Sequence, residues 1–431
     1  MAPCRSCRQP LDLLLDFGPQ PLCNRLLPEP AAVELRHPLR LGQCPACGLL
    51  QLDEPVSAAV LKPPRPVVYN EPEWHLDQVA PRIAALPGVT RDADICGLTY
   101  KETSLIARLR QCGYRNAVCL DIRRDLGIRE ATAGIETVQE RISAGVLSDL
   151  AEHRGRYQVV IARHLLEHAH DLPAFVAGLR GVGAANGYLI FEVPDFTVSL
   201  RGGDYSTLWE EHVVYFTKAT FAAVLVRLGL QVHTVFEYPS GAEGLLVGVT
   251  QQPVEEKGLA PSCVGEAQGT PPPRGACPPF STGSQAAERA GGGSVEAGVV
   301  QAELTQGRHY AAHLPAARQA WLRACAAERT AGRQVALLGA GHLAIMFVNL
   351  LDLRGVIDFV IDDDPAKCGS YLPGSHLPVC PSEALYARPV GLCLMSVAPE
   401  SERRVRERHR RFLESGGRLV SIFPGSDIGL P

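Results

Sequence analysis

The sequence predicts an α/β protein, with parallel sheets covered by helices behind a small cysteine-paired module. Three observations carry that expectation. Short apolar runs alternate with amphipathic stretches from about residue 66 to 250, and a similar alternation restarts near residue 334. Strands separated by helices imply a parallel sheet with helices on both faces. Two Cys-x-x-Cys pairs punctuate the proline-rich start of the chain. At 431 residues the chain exceeds one ordinary core, so several domains are expected. Apolar residues make up 46% and charged residues 20%, as in ordinary globular proteins. With 42 basic and 46 acidic residues the formal charge is −4, which gives no electrostatic reason to expect nucleic acid or an anionic membrane as partner. No run approaches the roughly 20 apolar residues of a membrane span. The first residues, MAPCRSCRQP, contain no apolar signal region, and the 14 cysteines are scattered through a large chain. Reduced thiols and a cytoplasmic setting are therefore expected.

In chain order, residues 1–65 read as a loop-rich module. Cys4 and Cys7 form one knuckle and Cys44 and Cys47 the other, separated by 36 intervening residues. Tetrahedral zinc takes four soft ligands, and four thiolates leave no open position, so the expected ion is structural. Redox cysteines or unrelated buried thiols are the other reading. Residues 66–250 form the first α/β unit. The runs DICGL, NAVCLDI, YQVVIAR and NGYLIFEV read as strands, and SLIARLRQCGY and KATFAAVLVRLGL as helices. An antiparallel pair, VHTVFEYP and GLLVGVTQ, closes the unit. Gly97 ends the first strand, where a glycine lets a nucleotide-like ligand approach the backbone. Asp121 ends the next, where an acid commonly binds ribose hydroxyls. Gln139, Glu140 and Arg141 are placed near an adenine.

The stretch from Ile161 to Thr217 is the most informative. It reads as strand, helix, strand and loop, with a polar cluster at each strand end. Arg163, His164, Glu167 and His168 follow the first strand. Glu192, Asp195, Glu210, Glu211 and His212 follow the second. Ligands of open parallel sheets bind beyond the carboxyl ends of the strands, so the clusters should share one crevice. Two histidines among carboxylates can move protons near neutral pH. Arg163 and His164 are candidates to touch a cofactor or a diphosphate. Glu167 and Glu210 read as solvated or structural, and Lys101 as a solvated loop lysine.

Residues 251–307, rich in Pro, Gly, Ser and Ala, read as a disordered low-complexity linker. Residues 308–431 begin with a helix interrupted near Pro315 and continue as a second Rossmann-like unit. Its loop Gly339-Ala340-Gly341-His342 satisfies a GxG start, but Ala344 stands where a third glycine is expected. If that loop bound a dinucleotide, Asp362 would be the ribose acid and the protein an NAD-dependent oxidoreductase.

Five motifs, FGPQPLCNRLL, HPLRLGQCPACGLLQL, LLEHAHDLPAFVAGL, IFEVPD and EEHVVYFT, resemble the NDP-sugar C-methyltransferases, as does IDDDPAKCGSYLPGSHLPV near the end. The resemblance covers roughly residues 1–250 and 310–425. It implies an S-adenosylmethionine enzyme with a zinc-binding module, a class I methyltransferase core and a C-terminal Rossmann-like domain. It implies methylation next to the ketone of a nucleotide-linked deoxysugar, through deprotonation to an enolate. His212 is then the general base and Glu211 its orienting companion. His168 holds the sugar or stabilises the enolate oxygen, and Tyr69 lies over the substrate with His75 nearby. Gly97, Asp121, Glu140 and His164 fall to the cofactor. Trp209 departs from the family, which carries an aromatic hydroxyl three residues before the base. A reading from another class is a non-catalytic descendant that binds a nucleotide-sugar or a protein partner. Oligomeric state is not legible.

Overall fold

The computed structural model describes residues 2–62, 73–130, 134–143, 145–239, 243–253 and 286–430, the last segment with side chains from residue 297. Tyr69 lies outside the described residues.

The first strands are β1 (Asp12–Pro21), β2 (Arg36–Gln43) and β3 (Leu50–Leu52), which pair antiparallel. This corrects the loop-rich expectation for the module. β1 accommodates its glycine and proline by slipping register between Asp16 and Pro19, as bulged strands do.

The first α/β unit contributes β4 (Ile95–Gly97), β5 (Ala117–Cys119), β6 (Tyr157–Arg163) and β7 (Gly183–Asp195). Then follow β8 (Val214–Tyr215), β9 (Gln231–Tyr238) and β10 (Gly244–Gln251). The sheet order is β5-β4-β6-β7-β10-β9, with β10 antiparallel to both its neighbours. β6 and the second half of β7 are buried almost throughout, the pattern of a sheet covered on both faces. Strand order reverses between β4 and β6, which opens a crevice at their carboxyl ends. β8 leaves this sheet and pairs with β3, so the module's sheet runs β1-β2-β3-β8.

The second unit has β11 (Gln334–Leu338), β12 (Phe359–Ile361), β13 (Val379–Cys380), β14 (Val390–Met395) and β15 (Arg418–Ser421). They form an all-parallel sheet in the order β13-β12-β11-β14-β15. A single helix, Ala286–Thr330, precedes it. That helix starts inside the segment assigned to the linker and runs through Pro315 without the expected interruption. An interior proline costs about 3 kcal/mol. Burial of Tyr310 and Cys325 on either side supplies the opposing packing energy. The helix docks on the module, where Gln43 donates to the carbonyl of Glu303 at 2.9 Å.

The cores cross the sequence boundaries. Cys4, Cys44 and Cys47 belong to the apolar cluster that holds Phe175, Phe216 and Phe221. A second cluster joins Leu41 and Leu50 of the module to Trp209, Tyr310 and Leu337.

Candidate active site

The crevice end of the sheet is built around one carboxylate. Arg163 and Glu192 are register partners on β6 and β7, so their side chains stand side by side. The guanidinium meets Glu192 at 2.8 Å, His164 Nε2 lies 3.1 Å away, and His75 Nε2 meets the other oxygen at 3.0 Å. Burial alone would raise this carboxyl, but the Arg163 charge and the histidine contacts hold it well below the usual carboxylate range. His164 takes φ +50, a left-handed conformation that is strained for a non-glycine residue. Its N–H donates to the Glu192 carbonyl at 2.8 Å. Glu192, at the carboxyl end of β7, is thus a buried ion-pair hub.

His212 and His168 face each other edge to face, with ring centroids 4.8 Å apart. Trp209 packs 5.0 Å from His212, and on its other side stacks against His342 of the second α/β unit at 4.3 Å and 25°. Burial, then His168, His342, His164 and Lys101, push the His212 imidazole well below its ordinary value, so it is neutral near pH 7. The loop that carries it is fixed from the module. Asn24 donates to Glu211 at 2.5 Å, and the backbone N–H of Cys23 to Glu210 at 2.5 Å. Tyr215 both accepts from the Trp209 N–H and donates to its carbonyl, each at 3.1 Å, so this phenol is engaged with backbone.

Several expectations change. Gly97 does not open space for a ligand, because an added Cβ would lie 2.5 Å from Cβ of Glu102. Glu102 turns back to accept from Thr99 N at 2.6 Å and from Arg163 N at 2.7 Å, capping the loop from within. Asp121 is exposed at the end of β5, as expected for a ribose acid, though one oxygen accepts from Arg123 and Arg124 in its own turn. Glu140 is exposed on the helix Ile135–Ser143 and is not brought to the cluster. Glu136, four residues earlier on that helix, is buried beside His168 instead. Glu167 and Glu210 are buried rather than solvated, and so is Lys101. Asp362 accepts from the Ala340 N–H at 2.9 Å and pairs with Lys367 at 3.0 Å, which commits the acid that a dinucleotide reading needed.

Sequence reading missed Glu136, Asn24 and His342. Only Glu136 had a signal, since it shares the buried face of an amphipathic helix with Gln139.

At the module, Cys4 and Cys47 sulfurs lie 3.7 Å apart, Cys7 and Cys44 3.4 Å, and Cys7 and Cys47 3.6 Å. A tetrahedral zinc with bonds of about 2.3 Å sets sulfurs about 3.8 Å apart, so the donor set fits. No other all-thiol group of this kind occurs among the described residues.

Three family models match: a zinc binding domain over residues 4–61, a methyltransferase domain over 99–235, and a C-methyltransferase C-terminal domain over 294–424. The curated relative C-methyltransferase NovU of Streptomyces niveus is 25% identical over 448 residues, covering 98% of this chain and 95% of that protein. Among solved structures, the 1,6-didemethyltoxoflavin-N1-methyltransferase of Burkholderia thailandensis with bound S-adenosylhomocysteine is 11% identical, covering 42% of this chain and 77% of that one, at TM-score 0.27. The magnesium protoporphyrin IX methyltransferase of Synechocystis is 19% identical, covering 42% and 83%, at TM-score 0.29.

Proposed function

Because the chain belongs to the S-adenosylmethionine-dependent C-methyltransferases that carry an N-terminal zinc-binding domain, we infer that it methylates carbon next to the ketone of a nucleotide-linked deoxysugar. The observation that carries this reading is the neutral, buried imidazole of His212 beside His168, at the crevice end of the sheet. When bound, S-adenosylmethionine supplies an electrophilic methyl group. The exposed carboxylate of Asp121 suits its ribose.

His212 takes the proton α to the ketone. A neutral imidazole does so only if the resulting enolate oxygen meets a donor or a positive charge. His168, whose ring packs edge to face on His212, serves the developing anion in this reading. Glu211, anchored by Asn24, orients the loop. Trp209 walls the cluster, packed between His212 and His342.

The test is solvent deuterium exchange at the α-carbon across a panel of nucleotide keto-sugars. His212→Ala is expected to slow exchange by about 10²–10⁴-fold, with cofactor affinity unchanged by calorimetry. Wild-type exchange in that variant removes His212 as the base.

A further inference from the structure

Two buried carboxylates beside this histidine pair have no role in the reaction above. Glu167 is 1% exposed, and neither of its oxygens has a hydrogen-bond partner. Its charged neighbour is His164 Nδ1 at 3.4 Å. Glu136 is 4% exposed, and one of its oxygens lacks a hydrogen-bond partner although His168 Nδ1 stands 3.4 Å away. Both groups point inward. The ligand atoms of Glu167, His168 and His212 all lie within 4.8 Å of one another, and so do those of Glu136, His168 and Glu211.

A buried carboxylate that meets only an imidazole nitrogen at 3.4 Å has given up its hydration for incomplete compensation. Two such groups, brought to one histidine from different elements, are complementary to something that brings donors. Ionised carboxylates only accept, so the complement carries O–H or N–H.

We propose that Glu136 and Glu167 form an acceptor subsite that recognises a hydroxyl or ammonium group on the sugar carbon flanking the reacting one. The proposal rests on the methyltransferase reading and sharpens it, because it names the substrate by its donors. A site built to hydrogen-bond a substrate hydroxyl rejects the analogue lacking it far more strongly than an apolar pocket rejects a methylene, by about 10⁴–10⁵-fold at the upper limit. The sugar is thus expected to be oxygenated or aminated beside its reactive centre, and the fully deoxygenated ring to be a poor ligand.

The experiment is equilibrium binding to the zinc-loaded protein of two nucleotide keto-sugars that differ only by hydroxyl against hydrogen at that carbon. Wild type is expected to favour the hydroxylated compound by about 100-fold or more. In Glu167→Gln and Glu136→Gln the gap narrows to within about ten-fold, while the deoxygenated compound binds as it does to wild type. Equal affinity of wild type for the two sugars overturns the subsite and leaves the methyltransferase reading standing, and this arm needs no variant to fold. Binding of neither sugar sinks both. A Mn²⁺ titration followed by electron paramagnetic resonance supplies the last arm. One tightly bound ion, lost in Glu136→Gln, makes the cluster a cation site and overturns the proposal.

Discussion

At His212, burial decides the acid–base behaviour before any partner does. Desolvation disfavours the imidazolium, and the neighbouring His168, His342, His164 and Lys101 disfavour it further. The base therefore stays unprotonated well below pH 6.5, where a solvated histidine already carries charge. The acidic limb of kcat/KM, or of α-deuterium exchange, is expected below about pH 6.5. A limb at or above that value in the pH profile places the base elsewhere. The same shift has a stability sign. The native value is lowered, so the unfolded chain binds more protons below pH 6.5 and the fold loses stability as pH falls through that region. Glu192 shifts in the opposite sense to its burial, since the Arg163 charge and the His164 and His75 contacts together outweigh desolvation there.

The element that matters most is the segment from Leu208 to Phe216. It leaves the large sheet, lends β8 to the module's sheet and carries Trp209, Glu211 and His212 between three parts of the chain. Asn24 holds Glu211 from the module through a charge-assisted hydrogen bond, worth about 1.5–3 kcal/mol. Asn24→Ala is expected to slow exchange about ten-fold while S-adenosylmethionine affinity and thermal midpoint change little, since β3–β8 pairing survives. Calorimetry and exchange on one preparation check it. Full activity in the variant means the loop keeps its geometry without the module's side chain.

For the whole molecule, shared cores predict shared fate. The zinc cysteines sit in the same apolar cluster as Phe175, Phe216 and Phe221, and the module's leucines in the same cluster as Trp209 and Tyr310. Removing the ion leaves four clustered thiols without the bonds that hold them, and metal-binding energy in such modules is folding energy. Metal analysis is expected to find one zinc per chain at the four cysteines. Chelation is expected to shift the main calorimetric transition downward as one peak. A small separate transition with the main peak unmoved would show that the module melts alone.

Much of this was legible in the residues. The two α/β alternations, the cysteine knuckles and the strand-end clusters are local patterns of period, spacing and turn chemistry, so LPxFVAGL-type runs and Cys-x-x-Cys pairs announce themselves without neighbours. Glu140 shows where the reading ran out: it and Glu136 are one helical turn apart, and only packing of that helix against His168 buries the second and exposes the first. The turn that buries Glu102 against Gly97, the reach of Asn24 to Glu211 across 187 residues and the stack of His342 on Trp209 likewise leave no local trace. Composition and spacing thus determined the architecture and an acid–base crevice, and the family resemblance supplied methyl transfer. Which carboxylates are desolvated, and which rings meet, was decided by contacts between segments far apart in the chain, because burial and pairing are properties of the packed molecule.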